Sequence, residues 1–172
     1  MSEQIYLFDP VERFICGTVG EPGDRTFFIQ ARTGQRLISV SLEKSQVQAI
    51  SDRLHILLRE LRGTDPSSTF LQVAADNQPL ETPIDEEFRI GAISIDFDEA
   101  SSKVQLDFEE LVGDESDSAA DILRVRATLA QIRAFVRRAD SVISAGRPPC
   151  PFCGGPIDSR GHLCPRANGY RR

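Results

Sequence analysis

Cys150, Cys153, His162 and Cys164 gather three sulfurs and one imidazole in a short C-terminal stretch, RPPCPFCGGPIDSRGHLCPRANGYRR. Zinc favours this donor set, because it takes thiolate sulfur and neutral ring nitrogen at the corners of a tetrahedron. Cys150 and Cys153 form a CxxC pair followed by Gly154, a turn in which glycine lets backbone N–H groups point at sulfur. His162 and Cys164 stand two residues apart, so an extended segment presents both to the same side. The H-x-C spacing is tighter than the common finger patterns, and a CxxC redox pair or free thiols are the competing readings. The stretch holds too few apolar residues to fold by burial, so bound metal would supply its ordering energy. Four protein ligands leave no open position for water, which predicts structural rather than catalytic zinc. Zinc deaminases also carry a PCxxC string but need an upstream H-x-E element. The other histidine, His55, is followed by Ile56 and Leu57.

Further constellations read as scaffold. GTVGEPG at 17–23 spaces three glycines at intervals of three, but a phosphate loop wants a helix next, and here a strand follows. A hairpin turn is the better account, with Arg25 beside it. Asp96, Asp98, Asp107 and Glu109 share one face of a predicted hairpin and could bind Mg²⁺ or act as acid and base. A four-residue turn would set Asp98 opposite Lys103 and Asp96 opposite Gln105, an ordinary solvated face. Cys16 and His55 are most simply structural, and no nucleophile–histidine–carboxylate set can be assembled.

Charge is divided unevenly. The formal net charge is −6, yet residues 1–121 sum to −14 and residues 122–172 to +8. Arg124 and Arg126 alternate with apolar residues on a predicted strand; Arg133, Arg137 and Arg138 follow on a helix, and Arg147, Arg160, Arg166, Arg171 and Arg172 surround the cysteines. Arg124, Arg126, Arg133, Arg137, Arg166 and Arg171 are the candidates for binding an anion or a partner, with Phe152 and Tyr170 as stacking surface. The alternative is neutralisation within the chain, since residues 85–121 alone carry −11.

These groups need a scaffold, and 172 residues with 40% apolar and 27% charged side chains suffice for a core. Strands are predicted at Gln4–Phe8, Val11–Val19, Arg25–Ala31 and Gln35–Val40, divided by Asp9–Pro10, Gly20–Gly23 and Thr33–Gly34. Val47, Ile50, Leu54, Leu57, Leu58 and Leu61 make one stripe of a helix over about 42–61. A turn-rich stretch follows, with a short strand predicted at Phe70–Ala74. Ile93, Ile95 and Phe97, then Val104, Leu106 and Phe108, alternate with polar residues as two strands, slipping by one near Gly91. Residues 117–145 invite a single long helix. Thr128 with Gln131 is instead a capping box, so a strand at 122–127 gives way to a helix at 129–145. QVQAI at 46–50 then matches QIRAF at 131–135, and Gly17 matches Gly91.

The predicted fold class is α+β: two tandem, pseudo-symmetric, antiparallel β-rich units, about 1–62 and 70–146, each ending in a helix. A zinc knuckle over 147–172 completes the chain. Similar β–β–β–β–α units occur in Whirly and Pur-alpha-type single-strand-binding folds, a likeness of topology alone. The N-terminus lacks the basic and long apolar regions of a signal peptide, and no apolar run approaches ~18 residues, so a cytoplasmic chain without membrane contact is expected.

The tail motif CPxCGxPxDxxGHxCPRxNGY, together with GTVGEPGDRTFFIQAR, PLETPIDEEFRIG and LRVRATLAQIRAFVRRA, resembles an actinobacterial family catalogued as a domain of unknown function. Nearly the whole chain takes part. Family members typically carry proline at the positions of Ser159 and Leu129; neither change touches a predicted ligand. The resemblance carries no activity. It implies gene neighbours that encode a phosphoinositide-kinase-like protein and a phosphoglycerate-mutase-like phosphatase, hence cytosolic protein partners in a shared pathway. The expected function is a non-enzymatic, zinc-containing adaptor with a basic docking face. Single-stranded nucleic-acid binding is one alternative, and an enzyme or accessory subunit acting on a phosphorylated small molecule is another.

Overall fold

A computed structural model describes residues 2–21, 23–62, 74–146, 149–155, 157 and 161–166. Its elements run β1 (Ile5–Phe8), β2 (Arg13–Val19), β3 (Thr26–Thr33), β4 (Arg36–Leu42), α1 (Lys44–Leu61), β5 (Glu86–Asp98), β6 (Lys103–Glu110), β7 (Ile122–Thr128) and α2 (Leu129–Ser144). The strand predicted at Phe70–Ala74 lies, apart from Ala74, outside the described residues. The architecture is mixed α+β, with a seven-stranded sheet, two helices and a Cys/His cluster near the C-terminus.

All seven strands join one sheet in the order β1-β7-β6-β5-β4-β3-β2. β1–β7 and β4–β5 are parallel; the remaining neighbours are antiparallel. Alternation decides the faces. Val104, Leu106 and Phe108 of β6 and Leu123, Val125 and Ala127 of β7 all point into the core, where none is accessible to solvent. Asp98 stands opposite Lys103 and Asp96 opposite Gln105, as the turn length predicts. The slip appears as a register shift between Ile90 and Ile93. A Cβ at Gly91 would come within 3.0 Å of the Leu111 Cα, so the bulge needs a residue without a side chain.

The strand-to-helix switch at Thr128 rests on its capping box. The Thr128 hydroxyl accepts from the Gln131 N–H at 3.2 Å, and the Gln131 carbonyl oxygen accepts from the Thr128 N–H at 2.9 Å. These bonds satisfy amides that a helix start leaves without partners. Gln46 caps α1 in the same way, taking the Glu43 N–H at 2.8 Å. From these starts α2 sends Ile132, Phe135, Val136 and Ala139 into the core and α1 sends Val47, Ile50, Leu54 and Leu57. Ser51 and His55 of α1 both bond Asp140 of α2, at 2.5 and 2.8 Å, which fixes the helix pair. Phe14 of β2 stacks on Phe135, ring centroids 4.3 Å apart, and meets Phe108 of β6 at 6.3 Å.

Residues 74–85 form a strap over the outward face of β2–β4. Leu80 presses on Gly17, where a Cβ would lie 2.7 Å from the leucine side chain. The Gln30 amide donates to the Glu81 carbonyl and accepts its N–H, both at 2.9 Å. Arg13 grips the Asp76 carboxylate at 2.7 and 3.1 Å. Arg138, grouped by sequence with the basic face, turns inward instead and is only 8% exposed. It donates to the carbonyls of Cys16, Asp76 and Gln78.

Two outcomes follow for stability. Arg138→Met removes the side-chain donor from the Cys16 and Asp76 carbonyls and should cost about 2–3 kcal/mol in urea unfolding, with earlier proteolytic cleavage at the strap. The Arg13 guanidinium holds the Asp76 carboxyl below its ordinary value. Unfolded, Asp76 takes up its proton near pH ~4, so below that the unfolded state binds more protons and stability falls with pH. Asp76→Asn should make this acid slope shallower in unfolding measured from neutral pH downward.

Candidate metal centre

Beyond α2 the described residues include a backbone turn built around sulfur. The Gly154 N–H donates to the Cys150 carbonyl at 2.8 Å and the Cys150 N–H to the Gly155 carbonyl at 2.7 Å, closing the CxxC turn. Gly154 sits at φ +73°, a left-handed conformation that side chains disfavour. The Gly155 N–H then donates to the Cys153 Sγ at 3.4 Å. His162 and Cys164 bring the remaining donors from the second segment. One ligand atom from each of Cys150, Cys153, His162 and Cys164 lies within 4.8 Å of all the others.

The edges of this cluster suit a tetrahedral ion. Bonds of about 2.3 Å to sulfur and about 2.0 Å to nitrogen require sulfur–sulfur edges near ~3.8 Å and sulfur–nitrogen edges near ~3.5 Å. The Cys150 and Cys164 sulfurs are 3.8 Å apart, and Cys153 Sγ lies 3.3 Å from His162 Nε2. Such a constellation could hold a metal ion, and its chemistry is consistent with zinc. Backbone N–H groups of Cys153 and Phe152 draw the Cys150 thiol below its ordinary pKa against the effect of burial. At Cys153 the Gly155 N–H also pulls downward, but burial and the adjacent Cys164 and Cys150 sulfurs outweigh it and raise the thiol. Three thiolates this close repel one another unless a cation lies between them.

The basic candidates separate in space. Arg124 is bound bidentately by Asp107, at 2.8 and 2.6 Å. Arg126 bonds Asp98 at 2.7 Å and Asp9 at 3.1 Å. Arg133 is half-buried on α2, and Arg137 is exposed there. Of the basic candidates among the described residues, only Arg166 joins the Cys/His cluster, donating to the Phe152 carbonyl at 3.3 Å. Arg171, with Arg147, Arg160, Tyr170 and Arg172, lies outside the described residues. Arg25 donates to the Val142 carbonyl at 3.4 Å, and its guanidinium occupies the space above Gly146.

Sequence reasoning named Phe152 as stacking surface but passed over Leu163 and a hollow on the sheet. Leu163, between the ligands His162 and Cys164, is 85% exposed, and Phe152, between Cys150 and Cys153, is 64% exposed. Alternation gives the signal: if residues 162 and 164 point at the ion, 163 points away. The second feature is a shallow hollow of about 800 Å³ between the β3–β4 turn and the strap, lined by Arg13, Arg32, Gln35, Ser39 and Glu81 among others. Its two arginines already pair with Asp76, Glu81 and Glu12.

A family model described as Protein of unknown function (DUF3090) matches residues 6–164, from β1 through the last cysteine ligand. The chain belongs to this family. The DUF3090 match takes in the sheet, both helices and all four residues of the Cys/His cluster. Neither a curated protein nor a solved structure matches the chain.

Purified protein should carry about one zinc per chain by elemental analysis, and Cys164→Ser should lose most of it. Chelation at neutral pH should release three thiols that react promptly with a disulfide reagent. Cys16 should react only on unfolding, because burial pushes its thiol up to about 12.

Proposed function

We propose that this protein is a non-enzymatic adaptor in which structural zinc holds the C-terminal knuckle as a docking surface. The observation that carries this reading is the pairing of a four-donor site with outward apolar side chains. Phe152 and Leu163 each lie between two ligands, and large exposed apolar groups beside an arginine are the usual anchors of protein contacts. With four protein donors the ion has no vacant position, which suits a rigidifying role. Arg166 adds a cation bound to the knuckle backbone, and Arg133, Arg137 and Arg171 extend the basic character of the C-terminal third. The order of three strands and a helix, met twice, fits a duplicated body of about 1–146 that carries the tail of 147–172.

A cytoplasmic protein partner is the expectation. The first candidates are a phosphoinositide-kinase-like and a phosphoglycerate-mutase-like protein, from the gene neighbourhood of the family. Binding of single-stranded nucleic acid is less well supported, because Arg124 and Arg126 already have carboxylate partners. An enzyme of phosphorylated small molecules would want a cationic hollow, and the arginines of the 800 Å³ hollow are likewise paired.

Tagged protein, Cys153→Ser and Phe152→Ala should be compared in affinity capture from native lysate. The wild type should retain a partner that both variants lose, although Phe152→Ala keeps its zinc. Capture of the same proteins by all three, or of none by the wild type, defeats the adaptor reading.

A further inference from the structure

The sheet has an open edge in its interior. β4 pairs with β5 only at Ser39–Glu86 and Ser41–Arg89, and then the chain leaves the sheet for α1. β5 continues to Asp98. Over 92–98 its second edge receives no backbone bond from any other element among the described residues. On that side the Gln46 side chain donates to the carbonyls of Ile90 and Gly91 at 3.2 and 3.1 Å. Beyond it α1 stands away from β5. A hollow of about 250 Å³ lies between them, lined by Ala49, Ile50, Arg53, Ile93 and Ile95.

Among the described residues this stretch leaves the N–H and C=O groups of alternate residues unpaired over about 20 Å, beside a hollow that takes apolar side chains. A chain added there would send alternate residues to the two faces. Those on the inner face would lie over Ile93 and Ile95, which are half-buried. Those on the outer face would lie beside Ser94, Asp96 and Asp98. Asp98 is shared with Arg126 and Ser101, whereas Asp96 has no ionic partner among the described residues. Residues 85–121, which include this edge, carry −11. Two copies joined edge to edge would bring two such stretches together, which charge opposes. A basic partner gains what a second copy would lose.

We propose that the free edge of β5 is a docking site for an extended segment of a partner protein whose residues alternate between apolar and basic. The segment adds a strand to β5, seats its apolar side chains between α1 and β5, and sets its cations against Asp96 and Asp98. This site is independent of the metal centre and of the adaptor role proposed for it.

The probe is a fluorescein-tagged heptapeptide alternating valine and arginine, titrated with the full-length protein and followed by anisotropy. Controls are a heptapeptide alternating valine and glutamate and one with the same valines and arginines in two blocks. The alternating basic peptide should bind at least about tenfold more tightly than either control. Ala49→Arg, at an exposed position on α1, fills the hollow, and Asp96→Arg reverses the charge; each should weaken binding about tenfold or more. Cys153→Ser should bind as the wild type does, which separates this site from the knuckle. Equal binding of all three peptides, or unchanged binding to Ala49→Arg, overturns the proposal. So does self-association that Ala49→Arg abolishes, which would assign the edge to a second copy. No binding at all would mean that Asp96 and Asp98 only guard the edge, and would also overturn it.

Discussion

Residues 9–12 join β1 and β2, which stand at opposite margins of the seven-stranded sheet. Laid flat, seven strands at about 4.8 Å spacing would hold those margins nearly ~29 Å apart. Four residues reach at most about 19 Å between the strand ends. The sheet therefore has to curl until its margins approach, and the rest of the architecture follows from that curl. Arg36 of β4 donates to the Leu7 carbonyl at 2.7 Å, and Thr33 bonds the Pro10 carbonyl at 2.8 Å. Asp9 collects Lys103 at 2.6 Å and Arg126 at 3.1 Å. Inside the curl, Phe14 from one margin meets Phe108 and Phe135, and α2 packs against strands from both halves.

Curling also explains the disposition of charge. A concave apolar face leaves the convex one to carry the polar residues, so carboxylates and guanidiniums meet there across neighbouring strands. The Arg124–Asp107 pair links β7 to β6, and Arg126 reaches Asp98 at the end of β5. Pairs of this kind, partly exposed, add little energy each but help to fix register. Arg13 and Arg138 differ, because they hold backbone carbonyls of a strap that has no ladder of its own. The division of charge along the chain is thus in part a means of holding the strap and the strands.

The Cys/His cluster near the C-terminus is built on another principle. The body relies on burial of leucine, isoleucine, valine and phenylalanine; the cluster brings four possible donor atoms within 4.8 Å of one another. An ion held there would fix a short segment without a core, while Phe152 and Leu163 stay exposed. That difference underlies the proposed role of the tail, since a surface rigid in advance loses less entropy when a partner binds.

Local signals were legible in the sequence wherever the cause is local. Alternation placed β6 and β7, the 3-4 stripe placed α1, and Thr128 with Gln131 placed the start of α2, because each depends on neighbours within a few residues. The convergence of Cys150, Cys153, His162 and Cys164 was legible for the same reason, since residue type and spacing define nearly the whole cluster. What the sequence could not settle involves partners far apart in the chain. Nothing near Arg138 says that it bonds Cys16 and the strap rather than solvent, and nothing near Gly17 announces Leu80. The joining of β2–β4 and β5–β7 into one sheet is set by the short link at 9–12 and the packing of α2 across both halves. Spacing along a chain fixes which face a residue takes; only closure of the whole sheet fixes what that face meets.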